Sequence, residues 1–322
     1  MGPKCRIGFI GCGRVAENHR NAIAKCGNAE LVAISNWKMS HAQEVADAWN
    51  INCLSPEELC SSPNIDAVFV LTNSQTHFRY VKMALEGKKH VLVEKPVALD
   101  YHDIEEMVRL SEKHDRLCIP GHSYIYLPEL LRMKQVMDQG KLGIPVSMFM
   151  REIYRMPDHY IAKYSGPIRE VLCHQIYLMI AYMGVPKQIC AFTGCFRPEI
   201  TSGDEQVSVN VAFESGALAH LYVSWASEDE TSSPDTFKIK LLGTGGGMEF
   251  SRRGYVKHES GSNEYPMYDE MFDCEVAYFV DMCLGIAKNQ LPSSMKDAVM
   301  SIRILDAVLR SVKNHSIEIF EL

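Results

Sequence analysis

Three clusters in the sequence combine residue types and spacing suited to chemistry. The first is Gly11-Cys12-Gly13-Arg14-Val15-Ala16, a GxGxxG/A arrangement. Gly11 permits a tight turn, Gly13 lets a pyrophosphate approach the backbone, and Ala16 allows a helix to pack close to a strand. Free N–H groups at the start of the following helix then face the phosphates. The second cluster is Glu94-Lys95-Pro96. Pro96 fixes the backbone just after the lysine, and an ammonium beside a reacting C–O bond stabilises alkoxide charge and relays a proton. The third is Glu170 and His174, four residues apart and so on one face of a helix. Histidine titrates near neutral pH, so His174 can take and return a hydroxyl proton. Each cluster also has a plainer reading: a glycine turn, a lysine at a strand end, an ion pair on a helix surface.

Placing these residues requires alternating strands and helices. Short β-rich runs at 6–10, 31–35, 67–71, 90–93 and 117–120 are separated by stretches of helical period, the pattern of βαβ units in a parallel sheet. The glycine turn directly follows the first run and precedes a helix at 15–25, the context in which the motif indicates dinucleotide binding. The second run ends in Ser35-Asn36-Trp37-Lys38, where an NAD site usually supplies an acid to the ribose. Asn36 removes the repulsion toward a 2′-phosphate, Ser35 and Lys38 can bind that phosphate, and Trp37 can stack on adenine. These residues favour NADP over NAD, although Asn36 can also hydrogen-bond a ribose. The third run leads into Thr72, Asn73, Ser74 and His77, at the sheet edge where ligands of such folds sit; Ser74 or Thr76 can equally cap the next helix.

The 322 residues exceed one comfortable core and predict two domains, 1–121 and 122–322. With 33 basic residues against 40 acids, a net charge of −7 and no block of consecutive basic residues, nucleic acid is not an expected partner. The longest apolar run, 176–183, is too short to span a bilayer, and no signal-like segment opens the chain. Eleven cysteines, an odd number without CxxC spacing, read as reduced thiols in a cytoplasmic protein, and no metal site is expected.

A glycine turn on the first strand, with Glu94-Lys95-Pro96 at the end of the fourth, resembles the glucose-fructose oxidoreductase / inositol dehydrogenase (Gfo/Idh/MocA) family. Two later segments extend the resemblance. Ser123-Tyr124-Ile125-Tyr126-Leu127-Pro128 is similar to the family's Asn-aromatic-Arg-aromatic-x-Pro, with Ser123 and Ile125 replacing Asn and Arg. Glu170 and His174 are similar to its Asp-x-x-x-His, with the acid one methylene longer. The resemblance implies that Lys95 stands beside the nicotinamide and the substrate hydroxyl, that His174 is the proton acceptor, and that Glu170 contacts the substrate or orients His174. It implies a cofactor site built from Gly11, Gly13, Arg14, Val15, Ala16, Ser35, Asn36, Trp37, Lys38, Thr72, Asn73, Ser74, His77, Glu94, Lys95 and Pro96. Tyr124, Tyr154 and His174 are the substrate candidates, with Tyr126, Arg155, His159, Tyr160 and Tyr164 as further hydroxyls, rings and cations. His19, His41, His114 and His220 lack such company and read as structural or surface residues.

The expected fold is an N-terminal Rossmann domain, a doubly wound parallel sheet, followed by an α+β domain with an open-faced, mostly antiparallel sheet. Strand-like runs at 144–154, 206–213, 217–225 and 236–242 supply that sheet, and Gly243-Thr244-Gly245-Gly246-Gly247 reads as a hairpin turn rather than a phosphate loop. Helices at 129–138, 274–288 and 293–312 complete the domain. Apolar residues on both sheet faces, among them Leu218, Leu221 and Trp225, suggest a homo-oligomer through the sheet. The expected activity is an NAD(P)-dependent interconversion of a secondary alcohol and a ketone on a sugar, cyclitol or related diol. A glycosidase or eliminating enzyme using transient oxidation, and a dinucleotide-binding regulator without chemistry, remain as alternatives.

Overall fold

The computed structural model describes residues 3–162, 164, 166–201, 203–227, 237–252, 256–257, 263–264, 266–287 and 292–321. The chain forms two compact units, Met1–Leu127 with Tyr268–Val299, and Pro128–Met267 with Met300–Leu322. The first unit therefore takes in a late segment that the sequence pattern places in the second domain.

In the first unit, strands and helices alternate as β1 (Cys5–Ile10), α1 (Arg14–Lys25), β2 (Ala29–Ser35), α2 (Met39–Trp49), β3 (Asn52–Cys53), α3 (Pro56–Ser61), β4 (Ala67–Val70), α4 (Ser74–Glu86), β5 (His90–Glu94), α5 (Tyr101–His114) and β6 (Cys118–Gly121). A 3₁₀ turn, Ser123–Tyr126, follows. All the strand pairs are parallel and the order is β3-β2-β1-β4-β5-β6. The order reverses direction between β1 and β4, the switch point where a crevice opens at the C-terminal strand ends. The central strands are apolar on both faces because helices cover both: Ile7, Phe9, Val68, Phe69, Val91 and Leu92 are all buried.

The second unit holds α6 (Pro128–Asp138), β7 (Pro145–Ile153), α7 (Asp158–Ile161), a π-helical turn (Ile168–Leu172), α8 (Cys173–Met183), β8 (Gln188–Gly194), β9 (Gln206–Ala212), β10 (Leu218–Ser224), β11 (Phe237–Gly243) and β12 (Gly246–Arg252). Two short strands, β13 (Val256–Lys257) and β14 (Asn263–Glu264), pair with each other. The chain then enters α9 (Pro266–Cys283), most of which belongs to the first unit, and α10 (Met295–Asn314), before β15 (Glu318–Ile319). From α9, Phe279 packs edge-on against Phe69 at 5.2 Å, and Phe272 against the His19 ring at 5.0 Å.

The larger sheet runs β12-β11-β7-β10-β9-β8-β15. Its pairs are antiparallel except β7 with β10, which lie side by side in parallel. That pair is parallel because the chain leaves β7, passes through α7 and α8, and returns after the β8–β9 hairpin. Period-two alternation buries Met148, Met150, Val209, Leu221, Val223 and Ile239 on one face. Leu221 and Trp225 lie in this core, whereas Leu218 is 57% exposed on the other face. The hairpin between β11 and β12 closes at Gly243 opposite Gly246, as the sequence predicts. The late helix expected at 274–288 begins earlier, at Pro266, and Lys288 lies outside the described residues. Among the described residues, no helix is long and apolar enough to cross a membrane.

Candidate active site

The two glycines of the turn after β1 serve different purposes. Gly11 has φ +111°, and a Cβ there would stand 2.6 Å from the carbonyl oxygen of Leu71, so only glycine fits. Gly13, the N-cap of α1, is extended at φ −77° and receives no side-chain cap. A Cβ on Gly13 would meet nothing within 4 Å. The backbone is therefore open to an external group at the start of α1, and this cradle fits a dinucleotide pyrophosphate. Arg14 is exposed beside it, Val15 is half-buried, and Ala16 is buried against the sheet.

At the end of β2, Asn36 donates from Nδ2 to Cys12 Sγ at 3.0 Å and accepts at Oδ1 from Trp37 N at 3.0 Å. Its amide is thus folded back onto the glycine turn. Trp37 is 83% exposed and Lys38 is also exposed, while Ser35 is buried. Among the described residues the Ser35 hydroxyl has no hydrogen-bond partner, although its carbonyl accepts from Gly11 N at 2.8 Å.

After β4, Asn73 is the N-cap of α4 without a side-chain cap bond, so the chain does not cap this helix through Ser74 or Thr76. Thr76 instead donates to Thr72 Oγ1 at 2.8 Å. His77, expected at the cofactor, is buried and ties two strand ends together. Its Nε2 lies 3.0 Å from Thr72 O, and its Nδ1 lies 3.1 Å from both Pro96 O and Val97 O. Burial pushes the pKa of His77 down, against the pull of those carbonyls.

Glu94 closes β5 with its side chain buried. Oε1 accepts from His19 Nε2 at 2.9 Å and Oε2 from Lys95 N at 3.0 Å. The carboxylate therefore faces the protein and accepts from the backbone N–H of Lys95. Burial opposes its ionisation, but the His19 bond and charge and Lys95 outweigh it, and its pKa lies below the usual range. Lys95 is half-buried and is joined to Pro96 by a cis peptide.

In the second unit, Glu170 sits in the π-helical turn and His174 in the first turn of α8, so the pair spans a change of helix type. Such turns recur at functional sites. His174 is buried, and its Nδ1 lies 2.8 Å from the hydroxyl of Tyr177. The adjacent Gln175 donates to Tyr222 O at 3.0 Å and fixes α8 on β10. Tyr154, just past β7, accepts from Trp225 Nε1 at 3.0 Å. Tyr124, in the 3₁₀ turn of the first unit, is buried. Arg155 and His159 are exposed, and the rings of Tyr160 and Tyr164 stack at 6.0 Å.

The segment carrying Tyr154 to Tyr164 is braced by a buried ion pair. Arg197 Nε donates to Glu205 Oε1 at 2.6 Å, and its Nη1 reaches Met156 O at 3.0 Å and Asp158 Oδ1 at 2.8 Å.

His19, Tyr177, Arg197 and Glu205 are not singled out by motif spacing. For His19 a signal exists: it falls in the buried stripe of α1 with Ala16, Ala22 and Ile23, where a polar ring needs a partner. Arg197 and Glu205 carry no comparable local pattern.

Residues 5–122 match a family model described as "Oxidoreductase family, NAD-binding Rossmann fold", and residues 130–249 match "GFO/IDH/MocA C-terminal domain". The scyllo-inositol 2-dehydrogenase (NAD(+)) of Bacillus subtilis is 31% identical over 343 residues, covering 98% of this chain and 96% of that protein. The myo-inositol 2-dehydrogenase of Thermotoga maritima is 28% identical over 221 residues, 66% of each chain. Among solved structures, scyllo-inositol dehydrogenase from Lactobacillus casei with bound NAD(H) and scyllo-inositol superposes with a TM-score of 0.85 at 20% identity, covering 98% of this chain and 99% of that one. With both of its domains matched and a relative of this identity along nearly the whole chain, the protein belongs to the GFO/IDH/MocA oxidoreductase family.

Proposed function

We propose that the protein is an NAD(P)-dependent dehydrogenase that interconverts a secondary alcohol and a ketone on a cyclitol, sugar or related diol. The observation carrying this reading is the grouping of candidates in the first unit: the open turn at Gly13, the Asn36 corner, and Lys95 held by Glu94 all stand at the C-terminal ends of one parallel sheet. The inositol dehydrogenases among its relatives support a polyol substrate.

A nicotinamide cofactor, when held at this turn, would supply the hydride acceptor or donor. The protein's own residues do the rest: the first N–H groups of α1 hold the pyrophosphate, the Lys95 ammonium stabilises charge on the substrate oxygen, and His174 takes or gives the proton. Glu170 contacts substrate hydroxyls, with Tyr124 and Tyr154 as further contacts.

We favour NADP. Both ends of the Asn36 amide are already engaged, so it presents no acceptor equivalent to an NAD-type carboxylate, and the exposed Lys38 and Trp37 lie beside it. The outer face of the larger sheet, with Phe149, Phe192 and Leu218 exposed, supports a homo-oligomer. A sedimentation measurement giving only a 36.3 kDa species would overturn that part. The decisive assay is a panel of inositols and sugars tested for reduction of NAD and NADP, with Lys95→Met and His174→Ala as controls. Undiminished turnover in either variant would falsify the assigned roles.

A further inference from the structure

Near Glu94 the first unit contains a second acid that the activity does not require. Glu275, on α9, is fully buried at 0% exposure, and among the described residues neither carboxyl oxygen has a hydrogen-bond partner. Burial, reinforced by the charge of Glu94, pushes its pKa well above the ordinary value. Glu94, in contrast, has donors on both oxygens, from His19 and from the Lys95 backbone. A desolvated carboxylate without donors is costly, and two neighbouring carboxyl groups ionise one at a time. The charge therefore belongs on Glu94. The other titratable groups facing this pair are His19 from α1, His77 from α4, Lys95 after β5, Tyr126 from the 3₁₀ turn and, beside Tyr126, Tyr278 from α9.

We propose that Glu94 is the positioning residue for Lys95, and that Glu94 and Glu275 hold one negative charge between them, with Glu275 as the neutral acid. This inference rests on the reading of Lys95 as the reactive lysine. Oε2 of Glu94 fixes the backbone N–H from which the lysine departs, while the carboxylate charge favours the ammonium form. His19 aims that carboxylate from the helix that follows the glycine turn, so the cofactor cradle and the lysine share one buried anchor.

The test combines pH–rate profiles with infrared spectroscopy of the cofactor-free protein. Glu94→Gln keeps the side-chain shape and removes the charge. The alkaline limb of kcat/KM, where the lysine loses its proton, then moves to lower pH by about one unit, as expected for loss of a nearby opposite charge. Glu94→Asp restores the limb toward its original position, which a purely structural role for the carboxylate shape would not explain. The infrared spectrum of the wild-type chain shows a protonated-carboxyl band at neutral pH that disappears in Glu275→Gln, a readout independent of whether the Glu94 variants fold. An unshifted limb in Glu94→Gln, or the absence of a band sensitive to Glu275→Gln, overturns the proposal. Undiminished turnover in Lys95→Met overturns the underlying reading instead and leaves the infrared result standing.

Discussion

The hydroxyl of Tyr177 lies 2.8 Å from Nδ1 of His174, one turn further along α8, with both side chains buried. When Nδ1–H donates to the phenol oxygen, the lone pair of the neutral ring is on Nε2, and protonation there requires no change of partner at Nδ1. The contact holds the ring in place, and in that tautomer Nε2 is the base. Tyr177→Phe removes this partner, and kcat is expected to fall about tenfold, the equivalent of about 1–1.5 kcal/mol for one hydrogen bond. Steady-state kinetics across pH checks this, with an unchanged kcat counting against the pairing.

Gly11 and Gly13 separate fold from binding. Gly11→Ala forces a Cβ against the Leu71 carbonyl at a positive φ and is expected to cost more than about 2 kcal/mol in thermal unfolding. Gly13→Val meets open space and costs no more than about 1 kcal/mol as a weaker N-cap, yet its side chain occupies the cradle. Fluorescence titration with the reduced nicotinamide should show binding weakened at least tenfold in a protein that still unfolds cooperatively.

Cofactor choice turns on Asn36. Asn36→Asp places a carboxylate at the end of β2, which accepts from a ribose diol and repels a 2′-phosphate. The ratio of kcat/KM for NADP over NAD should drop by roughly ten- to a hundredfold, about 1.4–2.7 kcal/mol of discrimination. A ratio that does not fall would place the preference elsewhere.

Glu275 makes stability depend on pH. Its folded-state pKa is raised, so its contribution is complete below the ordinary carboxyl pKa and is lost as pH rises toward the folded value. Glu275→Gln should flatten the decline of Tm with rising pH. Parallel curves for variant and wild type would show that the carboxyl is not held neutral by the fold.

Glu205 acts in the opposite direction. Burial opposes its charge, but Arg197 and the backbone N–H groups of Phe196 and Arg197 outweigh this and depress its pKa. Its stabilisation is present above the ordinary carboxyl pKa and is lost as pH falls through the depressed value. Arg197→Met leaves a buried carboxylate without its cation and is expected to cost about 3–5 kcal/mol in denaturant unfolding, whereas removal of a surface pair would cost under about 1 kcal/mol.

Local patterns in the sequence were enough to place β1, the glycine turn, α1 and the Glu94-Lys95-Pro96 strand end, because each depends on neighbours a few residues away. The same holds for the β11–β12 hairpin. The parallel pairing of β7 with β10 follows from the path of the chain between them, and alternation alone reads the same in either direction. His77 and Glu94 were legible as polar residues at strand ends, but not the direction their side chains take. Each turns inward to a partner that is distant in sequence, Pro96 O for one and His19 for the other. Glu275 carried no mark at all, since an acid on a helix normally faces water.

The return of residues 268–299 to the first unit bears on how the protein is made. A chain emerging from the ribosome can assemble the six parallel strands early, yet Phe69 and His19 lack their covering rings until Phe272 and Phe279 have been synthesised. Part of the apolar surface of the nascent N-terminal sheet stays bare while strands β7 to β12 of the larger sheet are translated. Apolar surface left bare in this way is the kind that favours aggregation of a partly made chain.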